Sequence, residues 1–221
     1  MSAMESLTND APNRPRVRGF LHRPDGNAIA ALVLTHGAGS NCGAPLLVAV
    51  ADAFASGGVA VLRCDLPFRQ ARPHGPPFGN GSTDREGLRR AAELLGEIVP
   101  ARTFLGGHSY GGRQASILAS EDPEVAAGLL LLSYPLHPPN KPMQLRTAHF
   151  PHLTTPALFV HGSRDPFGSL EEMETARKLI PAQTELMRIE SAGHDLGRRG
   201  HAELARQVVT ALLKLVSLAQ V

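Results

Sequence analysis

The stretch Thr103-Phe-Leu-Gly-Gly-His-Ser-Tyr-Gly-Gly-Arg113 (TFLGGHSYGGR) decides how the rest of the chain is read. It joins a short apolar run to a segment of helical composition through Gly107-His108-Ser109-Tyr110-Gly111, a G-x-S-x-G pattern in a strand-turn-helix context. A serine in such an elbow sits on a strained turn with its hydroxyl exposed. Side chains on either flank would collide with the adjoining strand and helix, so the flanks are glycine. The helix that follows aims its N-terminal amide dipoles at negative charge developing near the serine. Ser109 is therefore the candidate nucleophile. An ordinary glycine-serine turn is the competing reading of the five residues taken alone.

Working outward, short apolar runs alternate with longer segments of helical period. Strands are expected at 17–21, 30–35, 59–64, 103–106, 128–133, 157–161 and 185–189, and helices at 45–55, 82–99, 111–120, 169–180 and 202–218. That alternation specifies an α/β chain: a doubly wound, mostly parallel sheet of about seven strands with helices on both faces. Leu88, Ala91, Leu95 and Ile98 make one apolar helical stripe, and Leu204, Val208, Leu212 and Leu215 another. Thr83 with Glu86 and Ser169 with Glu172 fit the capping-box pattern. Two Pro-rich stretches, 65–81 and 135–155, resist the scheme. Each leaves the end of a strand, where ligand sites gather in open α/β sheets.

A serine hydroxyl is a weak nucleophile and needs a base, which needs an orienting acid. In elbow enzymes these follow the serine in the chain order acid, then histidine. Asp165, in His161-Gly-Ser-Arg-Asp-Pro166, follows the apolar strand ALFV; His194, in Ser191-Ala-Gly-His-Asp195, follows the strand LMRIE. Both should emerge at the sheet edge that carries Ser109. A turn aspartate and a solvated loop histidine are the plain alternatives. Among the ten histidines, His108 reads as structural, His161 as the end of a buried strand, and His137, His149 and His152 as loop residues. Asp195 is the rival acid. The turn Thr35-His-Gly-Ala-Gly-Ser40 after an early strand supplies the second oxyanion donor, assigned with Tyr110 to the N–H of Ala38; Gly37 or Gly39 are alternatives. Gly37, Phe68, Arg69, Tyr134 and His137 are candidate substrate contacts. Arg69 and Arg164 are expected near the site, where either could read a substrate carboxylate, with salt bridging as their plainer role.

Composition narrows the rest. A chain of 221 residues suits one domain, expected at 15–221 behind a flexible polar leader at 1–14. With 22 Lys and Arg against 20 Asp and Glu, no nucleic-acid partner is implied. Cys42 and Cys64 have neither disulfide-framework nor zinc spacing, and no segment approaches a membrane span. The leader lacks a signal-peptide pattern, so a cytoplasmic location is expected. No GxxxxGK[ST] or GxGxxG phosphate motif is present.

At these residues the sequence resembles the small, lidless α/β-hydrolases related to dienelactone hydrolase. It is most similar to a bacterial branch that shares a hydrolase-like domain with eukaryotic chromatin-complex and testis-expressed proteins. THGAGS at 35–40, VLRCDLPF at 61–68, GGHSYGGR at 106–113, YPLHPPNKP at 134–142 and FVHGSRDPFG at 159–168 carry the resemblance over almost the whole chain after the leader. It implies an α/β-hydrolase fold without a separate lid domain and a serine hydrolase acting on a small acyl ester. Ser109, Asp165 and His194 match the triad positions, and no metal or organic cofactor is implied. The dienelactone enzymes use cysteine where this chain has Ser109, so their substrate does not transfer. A thioesterase, amidase or perhydrolase with the same triad is one alternative, and a non-catalytic interaction module retaining the fold is another. The expected partner is a small acyl substrate.

Overall fold

In the computed structural model, which describes residues 3–197 and 201–218, the apolar runs assemble into one eight-stranded sheet. It begins with β1 (Ala3–Asn9) and β2 (Val17–Arg23), which pair antiparallel. Six mutually parallel strands follow: β3 (Ala30–Thr35), β4 (Val59–Cys64), β5 (Thr103–His108), β6 (Leu129–Leu132), β7 (Ala157–Gly162) and β8 (Thr184–Ile189). The spatial order is β1-β2-β4-β3-β5-β6-β7-β8, with β2 antiparallel to β4. Helices α1 (Pro45–Ser56), α2 (Pro67–Ala71), α3 (Ser82–Ile98), α4 (Tyr110–Glu121), α5 (Leu170–Arg177) and α6 (His201–Leu218) make the crossovers and cover the faces.

Strand periodicity divides the interior into two cores. In β3, Ala31 and Val33 face a core shared with Leu88 and Leu95 of α3, Leu118 of α4 and Met173 of α5. Leu32 and Leu34 face the opposite core, with Val50 and Phe54 of α1 and Val208 and Leu212 of α6. Each fully buried Leu, Val or Phe side chain contributes about 1.5–3 kcal/mol of transfer free energy, so these two layers dominate the cohesion of the sheet. Both apolar helical stripes read from sequence face these cores.

After β3 the chain steps to β4 on one side, then crosses back to β5 on the other side of β3. The order of the sheet therefore reverses between β3 and β5. Their carboxyl ends open a crevice there, the position where doubly wound sheets bind ligands. His36 to Ser40 leave the first strand and Ser109 leaves the second.

The structure departs from the sequence expectations in four places. Half of the stretch read as a flexible leader is β1, drawn into register by backbone pairing with β2 from Ala3↔Arg23 to Asn9↔Val17; Met1 and Ser2 lie outside the described residues. The Pro-rich 65–81 stretch holds the short helix α2, which starts on Pro67. Helix α3 begins at Ser82 behind Gly81, at φ +79°, which places Thr83 inside the first turn and leaves it no capping role. Helix α5 ends at Arg177, three residues short of the expected Ile180. Its capping box is formed as expected, with Ser169 Oγ accepting from Glu172 N and the Glu172 carboxylate accepting from Ser169 N. No helix among the described residues is long and apolar enough to cross a membrane.

Backbone approach between β2 and β4 yields a stability prediction. A Cβ at Gly19 would lie 1.9 Å from the Arg63 carbonyl oxygen, so Gly19→Ala must force the strands apart. It should cost about 2–4 kcal/mol. Gly96 of α3 has open space around it, and Gly96→Ala should gain up to about 1 kcal/mol from helix propensity. Urea unfolding of both variants checks the pair; equal midpoints would contradict the assigned β2/β4 approach.

Candidate active site

Ser109 has φ 51° and ψ −114°, a conformation L-residues rarely adopt. Its cause is close packing around the turn. A Cβ on Gly112 would lie 2.6 Å from the Gly107 carbonyl oxygen, and one on Gly111 would lie 2.7 Å from that of His36. Only glycine lets α4 start so close to β5 and to the β3 loop. The Ser109 N–H donates to Leu132 O of β6 at 2.8 Å, so the main chain is pinned while the side chain projects from the turn.

Three side chains from three strand ends meet there. His194 Nε2 lies 2.8 Å from Ser109 Oγ, and His194 Nδ1 lies 2.8 and 3.0 Å from the two carboxylate oxygens of Asp165. The Asp165 side chain is fully buried, and one of its oxygens also accepts the Phe167 N–H at 2.8 Å. The imidazole is braced twice more. Phe167 stacks on it at 4.1 Å and 29°, and His108 Nε2 donates to the His194 carbonyl at 2.7 Å. His108 thus holds the loop that carries His194, in line with its structural reading. Asp195 instead accepts the Gly197 N–H at 3.1 Å and lines a separate, mainly apolar pocket with Leu46 and Leu47.

Ser109 opens into a cleft of about 600 Å³ that Ala38 and Tyr110 also line. Tyr110 is the first residue of α4, so its N–H has no carbonyl partner within the helix. The loop bearing Ala38 is fixed from behind. Arg69 donates to the carbonyls of Ala38 at 2.6 Å and Ser40 at 2.8 Å. His36 Nδ1 donates to Gly37 O at 2.9 Å while its Nε2 accepts the Leu66 N–H at 3.1 Å. That pair of bonds requires neutral imidazole, and burial holds the His36 pKa below its ordinary value. At the start of α4, the Tyr110 hydroxyl donates to Asp84 at 2.7 Å.

The expected substrate contacts lie elsewhere. Phe68 is buried in the core, tilted against His36 and edge-on to Tyr110. Arg69 spends its guanidinium on four backbone carbonyls, those of Ala38, Ser40, Pro73 and Gly75. Tyr134 is fully buried, its hydroxyl donating to Arg146 O. His137 is buried between Pro138 O and Glu172. At Gly37 a Cβ would lie 2.9 Å from His108 Nδ1; the glycine lets the loop close on His108 and lines the separate apolar pocket. Arg164 is exposed and does not line the cleft. Among the residues that do line it and were missed are Asn80, Arg113, Gln114, Pro135, Arg146 and Phe167. Only Arg113 carried a local signal, since it lies four residues beyond Ser109 and therefore on the same side of α4.

Burial also holds the pKa of His108 down, and that of His149 falls to about 4, with the nearby Arg113 and Arg85 charges adding to the effect. In the unfolded chain all three histidines titrate near 6.5. Below that pH the unfolded state binds more protons than the folded one, so stability is full above about pH 6.5 and falls as pH drops toward about 4. Urea midpoints at pH 7.5, 6 and 4.5 should fall in that order, and His149→Gln should shrink the drop; a flat wild-type profile would contradict the neutral, buried assignment.

Residues 28–217 match the family described as Alpha/beta hydrolase domain. Solved structures with the same fold include a dienelactone hydrolase from Anabaena variabilis, 21% identical, covering 96% of this chain and 97% of that one at a TM-score of 0.78. An α/β serine hydrolase homologue from Coxiella burnetii is 18% identical, covers 94% and 97%, and has a TM-score of 0.76. A lidless α/β serine hydrolase from Xanthomonas campestris is also 18% identical, covers 96% and 94%, and has a TM-score of 0.75. With 28–217 matched and the eight-stranded, mostly parallel sheet in place, this chain belongs to the alpha/beta hydrolase domain family and has its fold without a separate lid.

Proposed function

We propose that the chain is a serine esterase that cleaves a small acyl ester through an acyl-enzyme intermediate. The observation that carries the reading is the unbroken hydrogen-bond chain from buried Asp165 through His194 to Ser109 Oγ at the wall of an open cleft. His194 Nε2 takes the Ser109 proton as Oγ attacks the ester carbonyl. Asp165 keeps the other ring nitrogen protonated and stabilises the imidazolium that forms. The tetrahedral oxyanion is received by the N–H groups of Ala38 and Tyr110, aided by the N-terminal dipole of α4. His194 then protonates the leaving alcohol, and a water activated by the same imidazole releases the acid. No step calls on a metal or organic cofactor. A cleft of about 600 Å³ suits a small substrate.

A fluorophosphonate probe should label wild type and spare Ser109→Ala. Turnover of p-nitrophenyl esters should fall by about 10³-fold or more in Ser109→Ala and by about 10³–10⁴-fold in Asp165→Asn, where the imidazole tautomer is lost. Asp195→Asn should retain most activity. Folded wild-type protein that neither reacts with the probe nor hydrolyses any ester would favour a binding module; loss of activity in Asp195→Asn but not Asp165→Asn would overturn the assignment of the acid.

A further inference from the structure

The cleft beside Ser109 carries charge that the esterase reading does not use. Arg113 and Arg146 both line it, and none of its lining residues is Asp or Glu. Neither arginine forms an ion pair with a carboxylate among the described residues, whereas the neighbouring Arg85 pairs with Glu121 and bonds Gln114. Arg113 Nε is buried and has no hydrogen-bond partner. What stands behind it is neutral. The Tyr134 hydroxyl donates to Arg146 O and stands within hydrogen-bonding reach of the Arg113 side chain, a neutral neighbour that supplies no counter-charge, and His149 bonds the Ser116 hydroxyl at 2.8 Å. Burial and the Arg113 charge both lower the Arg146 pKa, the expected result of two like charges brought together out of water. A buried or half-buried cation without a counter-ion is costly, and the compensating charge has one open direction from which to come, the cleft.

The geometry points to an anion subsite: Arg113 and Arg146 take a carboxylate carried on the acyl chain of the ester substrate. Arg113 stands one helical turn beyond Ser109 on α4, a rise of about 6 Å over four residues. A carboxylate a few carbons from the scissile carbonyl reaches a guanidinium at that distance, and the planar fork of arginine matches a carboxylate with two parallel bonds. The substrate class is then the monoester of a short dicarboxylic acid. This inference rests on Ser109 as nucleophile for its chemistry but not for the binding itself, and the test separates the two.

The kcat/KM of mono-p-nitrophenyl glutarate is compared with that of neutral p-nitrophenyl pentanoate. Wild type should favour the charged ester by at least about tenfold, and the preference should shrink as salt rises. Arg113→Gln and Arg146→Gln should each lower the charged-to-neutral ratio by about 10–100-fold, mostly through KM. A wild-type ratio near one, or a ratio unchanged in both variants, overturns the subsite. Using the ratio removes any general loss of fold, and Arg146, on a loop, backs up the helical Arg113. A second arm needs no turnover. Calorimetric titration of Ser109→Ala with monomethyl glutarate should show binding that Arg113→Gln weakens about tenfold or more, and methyl pentanoate should bind more weakly than the charged ester. If that binding appears while neither aryl ester is cleaved by wild type, the esterase reading fails and the subsite stands; if aryl esters are cleaved without charge preference and monomethyl glutarate does not bind, the subsite fails and the esterase reading stands.

Discussion

Everything at the site depends on how closely three pieces of main chain approach one another at the end of β5. Helix α4 begins against the Gly107 carbonyl and the β3 loop, leaving no room for a Cβ at Gly111 or Gly112. That approach drives Ser109 to a positive φ. The strain, of order 1–3 kcal/mol, is sustained by the parallel ladder on either side, where β5 pairs with β3 and β6 over buried residues. In return, Ser109, Tyr110 at the start of α4 and Ala38 of the β3 loop line one cleft. A looser turn would separate them.

Around this rigid centre the loops are tied by polar groups kept uncharged or fully spent. His36 spans Gly37 O and Leu66 N, and His108 reaches the His194 carbonyl, so two neutral imidazoles act as struts between loops that have no secondary structure of their own. Arg69 does the same with its charge, distributing it over four carbonyls. Backbone carbonyls in buried loops must find donors, and a guanidinium with five N–H groups satisfies several at once.

The parts of this arrangement that were legible in sequence are those governed by local rules. Short, near-continuous apolar runs and stripes of period 3.6 specified the central strands and both core-facing helix faces, because burial on both faces of the sheet and on one face of each helix marks the residues themselves. The elbow was legible because its spacing is itself a local signature, Gly112 answering to the Gly107 carbonyl, while the β3 loop that also crowds Gly111 is distant in sequence. Asp165 and His194 could be reached because each follows a strand, and parallel strands deliver their ends to one edge. The cleft wall was not legible. Phe68, Arg69, Tyr134 and His137 occur in the right loops, but which way a loop side chain turns is set by distant partners such as Ser40 O, Arg146 O and Glu172. β1 escaped notice because an exposed edge strand has one pairing partner and little burial, hence no apolar pattern to betray it.

The distribution of charge follows from the same architecture. Asp165 is buried behind His194, where its charge is matched when the imidazole is protonated. Asp84 is buried behind Tyr110, where it accepts the Phe68 N–H and the tyrosine hydroxyl. Both acids are buried and neither lines the cleft, their oxygens being engaged by donors. The cleft itself is left to the N-terminal dipole of α4 and to Arg113 one turn further along the same helix. These sources act in the same direction. In the proposed mechanism a positive potential that would lower the energy of an oxyanion at Ser109 would also attract an anionic group placed beside it, so α4 would supply both effects from residues four apart. An anionic substrate would then complete the balance of charge that the protein alone leaves open.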